Sequence, residues 1–595
     1  MPGATHPAGY GPIVRALDVL AGTRTATTQR TEDGWVAFTG TDEHDRTGDR
    51  ARGFTVRLTR SARRGTGDAS TSALAAMLGD GRSIDGDGLA AMLPPFAVAH
   101  RAGPGAPVLV AGDWLGLRQL FWWRGDGIAA VSTSARTLAA LGEAELDTTA
   151  LAIQSVIGWQ LGDGTPYRGV AKLPPGCVAL LHGGKVTLHR YADQRLTPDG
   201  PAPAFRAVVD EMAGLLRDFH AAYLDDHPDT VLQLTGGQDS RLLLSAVPPA
   251  LRAGMPALTL DRRGGVESRI AKRLSEMCGL KHHVHWLDEQ PPPSPRTAHR
   301  LAVEAAAALD CMASPLALAP LAVIEAGLDQ SHRLSGLGGE IARGFYYLGQ
   351  PRYATTSPRL VRRLAQWRLF ANEGVTPDAL EPDFAERART AALDAVLACF
   401  AEYPSDWLRA TDEFYLWQRM PRWAGTHSTA AAVERWFVNP MLDRRFLHLA
   451  LGVSPADKRD SHLTGQLIQR LDSRLAAVPL DSGLVPARLG RRGVASAAAV
   501  ARVNARKVAG KVRQRLGHRR RAQLGVAEMA GLVVAHWRSA PELLQPLHRT
   551  GLVRTTWLDE LLTGRRTAEP TTVAFLVNLL VAAETVLPRS RATRR

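Results

Sequence analysis

Cysteine is scarce in this sequence. Its 595 residues include only Cys177, Cys278, Cys311 and Cys399, which form no CxxC pair and have no histidine cluster beside them at ligand spacing. Disulfide frameworks and cysteine-based metal sites need paired or clustered cysteines. The sequence therefore predicts reduced, mostly buried thiols in a cytoplasmic protein.

Long hydrophobic runs are also missing. The first residues, MPGATHPAGYGPIV, lack the charged region and apolar stretch of a secretory signal, so we expect no signal peptide. The longest apolar run near the end, Val573 to Ala583, contains Asn578 and falls short of the roughly 20 residues of a membrane-spanning helix. We predict a buried core helix there and no membrane span.

Acidic residues are absent between Asp481 and Glu528, so most of the net charge of +14 lies in one basic segment, residues 488–521. Two interpretations stay open for this segment: a solvated helical face, or a docking surface for an acidic peptide, a partner or a membrane. No aromatic residues interleave with its arginines and lysines. A nucleic-acid partner is therefore not expected.

The chain is too long for one hydrophobic core, and its pattern changes near residue 200. Residues 1–195 alternate short apolar stretches with Gly, Asp and Pro turns, which predicts an antiparallel β-rich domain. Within it, two glycines between the runs Cys177–His182 and Val186–His189 predict a hairpin. Residues 192–204 are interpreted as a linker.

Residues 205–595 form the second predicted domain. Expected strands at 230–235, 256–260, 282–287 and 332–336 alternate with helical segments such as 266–279. This alternation predicts a parallel sheet with helices on both faces. From about residue 355 to the end the pattern is almost entirely helical.

One segment of this domain carries chemistry: Thr235-Gly236-Gly237-Gln238-Asp239-Ser240, between an expected buried strand and a helix start. Adjacent glycines let backbone amides approach a phosphate closely, and the helix N-terminus adds positive potential. Ser240 offers a hydroxyl, and Asp239 offers a hard oxygen ligand for Mg²⁺. The segment therefore predicts a pyrophosphate site.

This segment resembles the SGGxDS pyrophosphate loop of the ATP-pyrophosphatase group, with Thr235 in place of the first serine. Downstream, Ser335-Gly336-Leu337-Gly338-Gly339-Glu340 resembles the SGxGxD segment of asparagine synthetases and β-lactam synthetases, with Glu340 in place of the aspartate. Residues 108–123 and 162–176 are similar to segments of the glutamine-hydrolysing domain, and residues 434–443 to ERxxPFLD. The chain thus resembles the asparagine synthetase superfamily over most of its length.

The resemblance implies an α+β N-terminal glutaminase-like (Ntn-type) β-sandwich domain, followed by an α/β parallel-sheet ATP-pyrophosphatase domain with a helical C-terminal part. It implies ATP and Mg²⁺ as cofactors, with Mg²⁺ between Asp239 and Glu340. The implied nucleotide-binding residues are those of the segment from Thr235 to Ser240, together with Leu260, Ser335 and Gly336. Lys458 and Arg470 are the expected catalytic, charge-stabilising residues.

Departures from the family pattern narrow the function. Pro2 stands where the glutaminase needs its cysteine, so we expect no glutamine hydrolysis. Leu337 replaces the Glu or Tyr that handles the proton of the attacking amine in asparagine and β-lactam synthetases. Gln466 occupies the lysine position of the helix that carries Arg470, which makes Lys458 the nearest replacement for stabilising charge.

A site without that Glu or Tyr favours an amine that needs little help from a base. A peptide α-amine, with a pKa of about 7.7 to 8.0, is such a nucleophile, whereas an alkylamine has a pKa near ~10.4. The expected reaction is ATP-dependent attack of a peptide N-terminus on an activated Asp or Glu side chain, as in lasso peptide cyclases. A base at Tyr346, Tyr347 or Glu413 stays open.

Two other functions stay open as well: a β-lactam or other small-molecule amide synthetase, and a degenerate, non-catalytic binding protein. The expected partners are a peptide or small-molecule carboxylate substrate, a leader-peptide-binding protein and a peptidase. His282, His283 and His285 alternate along an expected strand, so we assign them no metal role.

Overall fold

The computed structural model describes residues 11–21, 26–30, 35–39, 46–47, 53–59, 61–196, 204–289, 291–325, 332–431, 436–490, 493–516 and 525–586. The predicted linker and the basic segment lie partly outside these residues, and Pro2 lies wholly outside them.

Antiparallel sheets dominate the first part of the chain, as the sequence predicts. A six-stranded sheet has the order β13-β12-β8-β7-β4-β3, and a three-stranded sheet has the order β10-β9-β11. The strands are β1 (Ala26–Arg30), β2 (Trp35–Thr39), β3 (Arg46–Thr47), β4 (Phe54–Arg57), β5 (Arg63–Arg64), β6 (Gly67–Asp68), β7 (Ala97–Arg101), β8 (Val108–Gly112), β9 (Phe121–Gly125), β10 (Ile128–Ser132), β11 (Ala171–Lys172), β12 (Cys177–His182) and β13 (Lys185–Arg190).

The predicted hairpin joins β12 and β13. The two strands pair from Cys177 opposite Arg190 to His182 opposite Lys185. Gly183 and Gly184 make the turn with φ of 55° and 72°. A two-residue turn with positive φ at both positions matches the twist of the strands and strongly favours glycine.

A five-stranded parallel sheet lies at the centre of the second part. Its strands are β14 (Val231–Gln233), β15 (Pro256–Asp261), β16 (Lys281–Trp286), β17 (His332–Leu334) and β18 (Trp436–Val438), in the spatial order β16-β15-β14-β17-β18. All neighbouring strands are parallel. The first four confirm the predicted strands. β18 is a short strand within the part predicted to be almost entirely helical, and the sequence did not indicate it, because three residues are too few to show an alternating pattern.

Helices alternate with the strands in both parts of the chain. In the first part they are α1 (Gly11–Ala21), α2 (Thr71–Leu78), α3 (Gly86–Ala90), α4 (Ala135–Leu141) and α5 (Thr148–Ile157). In the second part they are α6 (Phe205–Asp226), α7 (Gln238–Ala246), α8 (Val266–Cys278), α9 (Pro295–Ala308), α10 (Pro315–Glu325), α11 (Gly339–Arg343), α12 (Pro358–Leu364), α13 (Pro382–Ala401), α14 (Trp407–Phe414), α15 (Gly425–Ala431), α16 (Arg444–Gly452), α17 (Pro455–Lys458), α18 (His462–Leu471), α19 (Ser473–Ala476), α20 (Pro486–Leu489), α21 (Val494–Leu516), α22 (Val526–Ser539), α23 (Gln545–Thr550), α24 (Thr555–Leu562) and α25 (Pro570–Val586).

The expected core helix near the end is α25. The whole run from Val573 to Ala583 is buried, and the Asn578 amide donates a 2.8 Å hydrogen bond to the Ala313 carbonyl oxygen. Among the described helices, none combines the length and the apolar character needed to cross a membrane. The cysteines are free thiols, buried at Cys177 and Cys311 and partly buried at Cys278 and Cys399.

Candidate functional site

The two predicted motifs meet at the carboxyl edge of the parallel sheet. β14 leads into the segment Thr235–Ser240, called the glycine loop below, and β17 leads into Ser335–Glu340, called the second loop. β14 and β17 are neighbours in the sheet. The next strand after β14, β15, pairs on one side of this central pair, and the next strand after β17, β18, pairs on the other side. Such a switch in strand order opens a crevice, and ligands of open parallel sheets bind there.

Hydroxyl groups fix the shape of the glycine loop. The Thr235 hydroxyl accepts a hydrogen bond from the Gly237 amide at 3.1 Å and lies 3.0 Å from the Ser240 hydroxyl. The Ser240 hydroxyl in turn accepts from the Thr235 amide at 3.1 Å. Gly237 is extended, and α7 begins at the next residue, Gln238. The loop therefore ends at a helix N-terminus, which favours an anion.

Glycines let the two loops come into contact. A Cβ added at Gly336 would lie 2.9 Å from the Asp239 Cβ, and one at Gly339 would lie 2.6 Å from Oδ1 of Asp239. Gly338 has a φ of 104°, which residues with a side chain rarely adopt. The glycine pattern of the second loop is therefore needed for the close approach of Glu340 to Asp239.

The two predicted metal carboxylates converge on one cation, Arg343. Nη2 of Arg343 lies 3.0 Å from Oδ2 of Asp239 and 3.5 Å from Oε1 of Glu340. The other oxygen of Glu340 accepts a hydrogen bond from the Gly338 amide at 3.1 Å. Burial and the neighbouring Asp239 raise the pKa of Glu340. Although burial opposes it, the two carboxylates raise the pKa of Arg343, so the guanidinium stays charged.

The residues present fit Mg²⁺ held together with a phosphate. Oδ1 of Asp239 is buried and, within the described part of the chain, has no hydrogen-bond partner. Mg²⁺ is usually bound by one or two carboxylates and completed by phosphate oxygens and water. No group of three or more His, Cys, Asp or Glu side chains with metal-binding geometry occurs among the described residues. Asp239 and Glu340 would thus provide a partial ligand set for Mg²⁺, which phosphate oxygens would have to complete.

The remaining predicted nucleotide-binding residues lie at the same edge of the sheet. Leu260 is partly buried near the end of β15, one strand away from the glycine loop. Ser335 and Gly336 follow β17 directly, and the Ser335 amide donates to the Val438 carbonyl oxygen at 3.0 Å. Asp481, which the sequence did not single out, also reaches the loop, because its amide donates to the Gly236 carbonyl oxygen at 3.0 Å.

A cavity of about 1270 Å³ adjoins the two loops. Gln238 and Arg343 lie on its wall and connect it with the glycine loop and the second loop. Residues 344–349, which follow α11, line it as well, and α21 and α25 contribute further side chains. Gln154 of α5 and the neighbouring Gly158 bring the N-terminal part of the chain to the same wall.

Lys458 does not lie on this wall. Its side chain is fully buried and forms an ion pair with Asp412, which also accepts a 2.6 Å hydrogen bond from the Tyr347 hydroxyl. The ammonium nitrogen is 5.8 Å from the centre of the Tyr347 ring. Tyr347 itself lines the cavity. This geometry gives Lys458 a structural position behind the wall, and its catalytic role stays a prediction.

Arg470 lies on the surface rather than in the cavity. Its Nε is 2.5 Å from Oδ1 of Asp210 on α6, and both side chains are about half exposed. Gln466, on the same helix, donates its amide to the Gly490 carbonyl oxygen. Neither contact involves the two loops, so the geometry does not favour the predicted catalytic role of Arg470.

The candidate bases differ in position. Tyr346 and Tyr347 line the cavity, but burial raises the pKa of both phenols, which disfavours the phenolate that a base requires. Glu413 is buried away from the cavity and accepts a 2.6 Å hydrogen bond from the Trp417 indole. Glu373, which no motif indicates, is on the wall and lies 3.2 Å from Arg419.

Sequence reasoning did not single out the arginines of the site, although one of them had a local signal. Arg343 had a local signal, because it follows Glu340 by three residues and shares a helical face with it. Arg368 and Arg419 had none, since they come from two separate π-helical segments, Ala365–Leu369 and Tyr415–Ala424. Only the tertiary structure brings them to one cavity.

Comparison of the chain with models of known protein families gave no match, and neither did comparison with curated proteins.

Proposed function

We propose that this chain is an ATP-dependent amide ligase that activates a carboxylate as an acyl-adenylate and passes the acyl group to an amine. We further propose that it closes a macrolactam between the N-terminal amine of a peptide and an Asp or Glu side chain, like a lasso peptide cyclase. The observation that carries the proposal is the convergence of Asp239 and Glu340 beside a glycine loop at the switch point of the sheet.

Each part of that site has a matching role in the proposal. The amides and helix end of the glycine loop suit the pyrophosphate of ATP, and Asp239 and Glu340 would hold Mg²⁺ against it. Bound Mg²⁺ would neutralise charge on the phosphates as the carboxylate attacks. The cavity next to the loops would hold the activated acyl group until the amine arrives.

The size of the cavity supports a peptide substrate. At about 1270 Å³ it exceeds the roughly 300–1,000 Å³ that is usual for small-molecule sites. Holding the amine and the acyl group of one peptide together makes the reaction intramolecular, which supplies several kcal/mol of the barrier. A β-lactam synthetase or other small-molecule amide synthetase would need less space.

The N-terminal part is proposed to be a glutaminase-like (Ntn-type) sandwich that has become a scaffold. Its supporting observation is the position of Gln154 and Gly158 on the cavity wall. In this role the domain shapes the substrate site and performs no glutamine hydrolysis.

A non-catalytic binding protein is the second candidate, and one contact favours it. Arg343 already places a charged guanidinium between the two carboxylates, where the ligase needs Mg²⁺. If Arg343 replaces the metal permanently, the loops would bind an anion without activating it.

Pyrophosphate release separates these candidates. Purified protein would be incubated with ATP, Mg²⁺ and either free β-amino acids or peptides that carry a free N-terminus and one Asp or Glu side chain. The mass of the products would be measured by mass spectrometry. We expect pyrophosphate release and peptides lighter by one water, with both lost in Glu340→Gln and kept in Asp218→Asn, an exposed control on α6. Turnover of free β-amino acids alone would favour the small-molecule synthetase, and nucleotide binding without pyrophosphate release would favour the binding protein.

A further inference from the structure

The wall of the cavity carries an excess of positive charge. Its arginines are Arg343, Arg368, Arg419, Arg459 and Arg506, whereas its carboxylates are Glu373 and Asp460. Two of the arginines are already neutralised by carboxylates. Arg343 contacts Asp239 and Glu340, and Arg419 contacts Glu373 at 3.2 Å.

Arg368 and Arg459 are different, because no carboxylate in the described part of the chain forms an ion pair with either. Arg368 donates one hydrogen bond, of 3.3 Å, to the Phe345 carbonyl oxygen. Arg459 donates one, of 3.2 Å, to the Gln350 carbonyl oxygen. A guanidinium has five N–H donors, so most donors of both groups remain available at the cavity.

The protein compensates the charge of both guanidiniums only in part. Burial lowers the pKa of Arg368, and burial and the nearby Arg352 lower the pKa of Arg459 by more than the Asp460 carboxylate raises it. A partly buried cation without a counter-charge is costly, and an anion that enters the cavity removes that cost. A carboxylate is the best match, because the planar fork of arginine binds it with two parallel hydrogen bonds.

The surrounding structure holds both side chains in place. The Arg368 guanidinium stacks 5.6 Å from the ring centre of Phe345 and 5.5 Å from that of Tyr346, and its backbone lies in a π-helical segment. Such segments are rare and often occur at functional sites. Arg459 precedes two residues with left-handed backbone, Asp460 at φ 59° and Ser461 at φ 63°. Non-glycine residues in this conformation also concentrate at ligand sites.

Helix α21, which contains no Asp or Glu, adds positive charge at the same cavity. Arg506 is exposed and also lines the cavity, together with Val503 and Asn504 of the same helix. Arg502 is exposed one turn earlier. A row of exposed cations beside a cationic cavity concentrates anionic ligands and accelerates their entry.

We propose that Arg368 and Arg459 form a carboxylate-binding subsite and that the ligand of the cavity is a peptide with acidic side chains. The inference deepens the proposed function by assigning a charge pattern to its substrate, and it rests on that function only for what happens after binding. The two arginines act in recognition, and the glycine loop holds the nucleotide.

Fluorescence anisotropy of two labelled peptides tests this subsite. One peptide carries Glu residues separated by Gly and Ser, and the other has Gln at each Glu position. Arg368→Met and Arg459→Met keep the apolar stem but remove the charge, and Arg362→Met on the exposed face of α12 is the matched control. Binding of a fluorescent ATP analogue with Mg²⁺ is measured on the same proteins.

We expect the wild-type protein to bind the Glu peptide at least 10-fold more tightly than the Gln peptide. Arg368→Met and Arg459→Met should each lose about 10-fold in affinity for the Glu peptide. The control Arg362→Met should keep the wild-type affinity for this peptide, and all variants should keep the wild-type affinity for the nucleotide. Arg368→Lys and Arg459→Lys, which keep the charge but not the fork, should bind with intermediate affinity. This rescue separates lost recognition from misfolding.

Several results would overturn the inference: no peptide binding by the wild-type protein, equal affinity for the two peptides, or unchanged affinity in both Met variants. Weakened nucleotide binding with intact peptide binding would also overturn it, because the arginines would then serve the phosphates. Peptide binding that depends on both arginines in a protein that binds no nucleotide would refute the ligase proposal alone and leave the subsite standing.

Discussion

Two aspartates, one in each part of the chain, are stabilised in opposite ways. Asp113, in the turn after β8, is fully buried. Four backbone amides donate to its carboxylate at 2.8–3.2 Å, those of Phe96, Leu115, Leu117 and Arg118. Asp239, in the glycine loop, contacts Arg343 through one oxygen, while its buried Oδ1 has no hydrogen-bond partner among the described residues.

This is the difference we expect between a carboxylate that holds a turn together and one that binds a ligand. Where a charge only holds a turn together, the protein supplies all its donors, because an unsatisfied buried oxygen costs stability. Where a charge has to bind something else, the protein leaves an oxygen without a partner. The same contrast applies to the cavity, where Arg419 is paired and Arg368 is not.

The largest expected effect is on activity, in Asp239→Asn. If Asp239 is the open carboxylate, its loss should reduce pyrophosphate release by about 10²–10³-fold, as removal of a key charge-stabilising group does in other enzymes. The free energy of unfolding in urea should change less than in Lys458→Met, because asparagine keeps the shape of the side chain and Arg343 keeps its contact with Glu340. If the variant were strongly destabilised but kept normal specific activity, Asp239 would be a structural carboxylate like Asp113.

Lys458→Met should give the opposite pattern. It leaves the fully buried Asp412 carboxylate without its cation, which costs about 3–5 kcal/mol of stability. The double variant Lys458→Met, Asp412→Leu removes both charges and should recover much of that loss in urea unfolding. If Lys458→Met instead unfolds like the wild type but loses activity, the catalytic role predicted from the sequence is correct.

Asp113→Ala should destabilise the protein by about 3 kcal/mol, because its four backbone donors lose their acceptor inside the core. Asp85→Ala is the matched control. Asp85 caps α3 through one bond to the Gly88 amide, so its loss should cost only about 1 kcal/mol. Equal losses of stability in the two variants would contradict the special position of Asp113.

The smallest expected effect is a pH dependence of stability caused by His220, a fully buried side chain on α6. Burial lowers the pKa of His220 to about 4, although the 2.6 Å hydrogen bond from its Nδ1 to the Leu216 carbonyl oxygen opposes this shift. The unfolded chain therefore binds a proton between pH 6.5 and 4 while the folded chain does not, so stability falls as the pH decreases through this range. Between pH 6.5 and 5 the loss should be about 1.5 kcal/mol, and His220→Leu should abolish that share in urea titrations.

Much of the fold was predictable, and the exceptions have physical causes. Strands with flanking glycines and helices of regular period were located within a few residues, as β15 and α8 show. β18 was not predicted, because three residues are too few to show an alternating pattern. The glycine loop was predictable from its adjacent glycines between a strand and a helix, and the second loop from its resemblance to a known motif. The structure adds the physical reason for the second one, the close backbone approach at Gly336 and Gly339.

The predicted site residues differ in the same way, because some lie within local motifs and others do not. Asp239 and Glu340 stand within motifs, so their convergence was expected, and the structure brings them to one guanidinium nitrogen. Lys458 and Arg470 were selected by analogy of position, and among the described residues their ion pairs are with Asp412 and Asp210 rather than with the loops. Their catalytic roles stay predictions, because these partners are far away in sequence and could not be inferred from it.

By itself the sequence determined the antiparallel first part, the parallel sheet and the two glycine-rich loops, because alternation, period and glycine spacing act over a few residues. The tertiary structure alone decided which charges became paired. Arg343, Arg368, Arg419 and Arg459 have the same side chain, and only the packing of distant segments gives two of them carboxylate partners and leaves two of them available at the cavity.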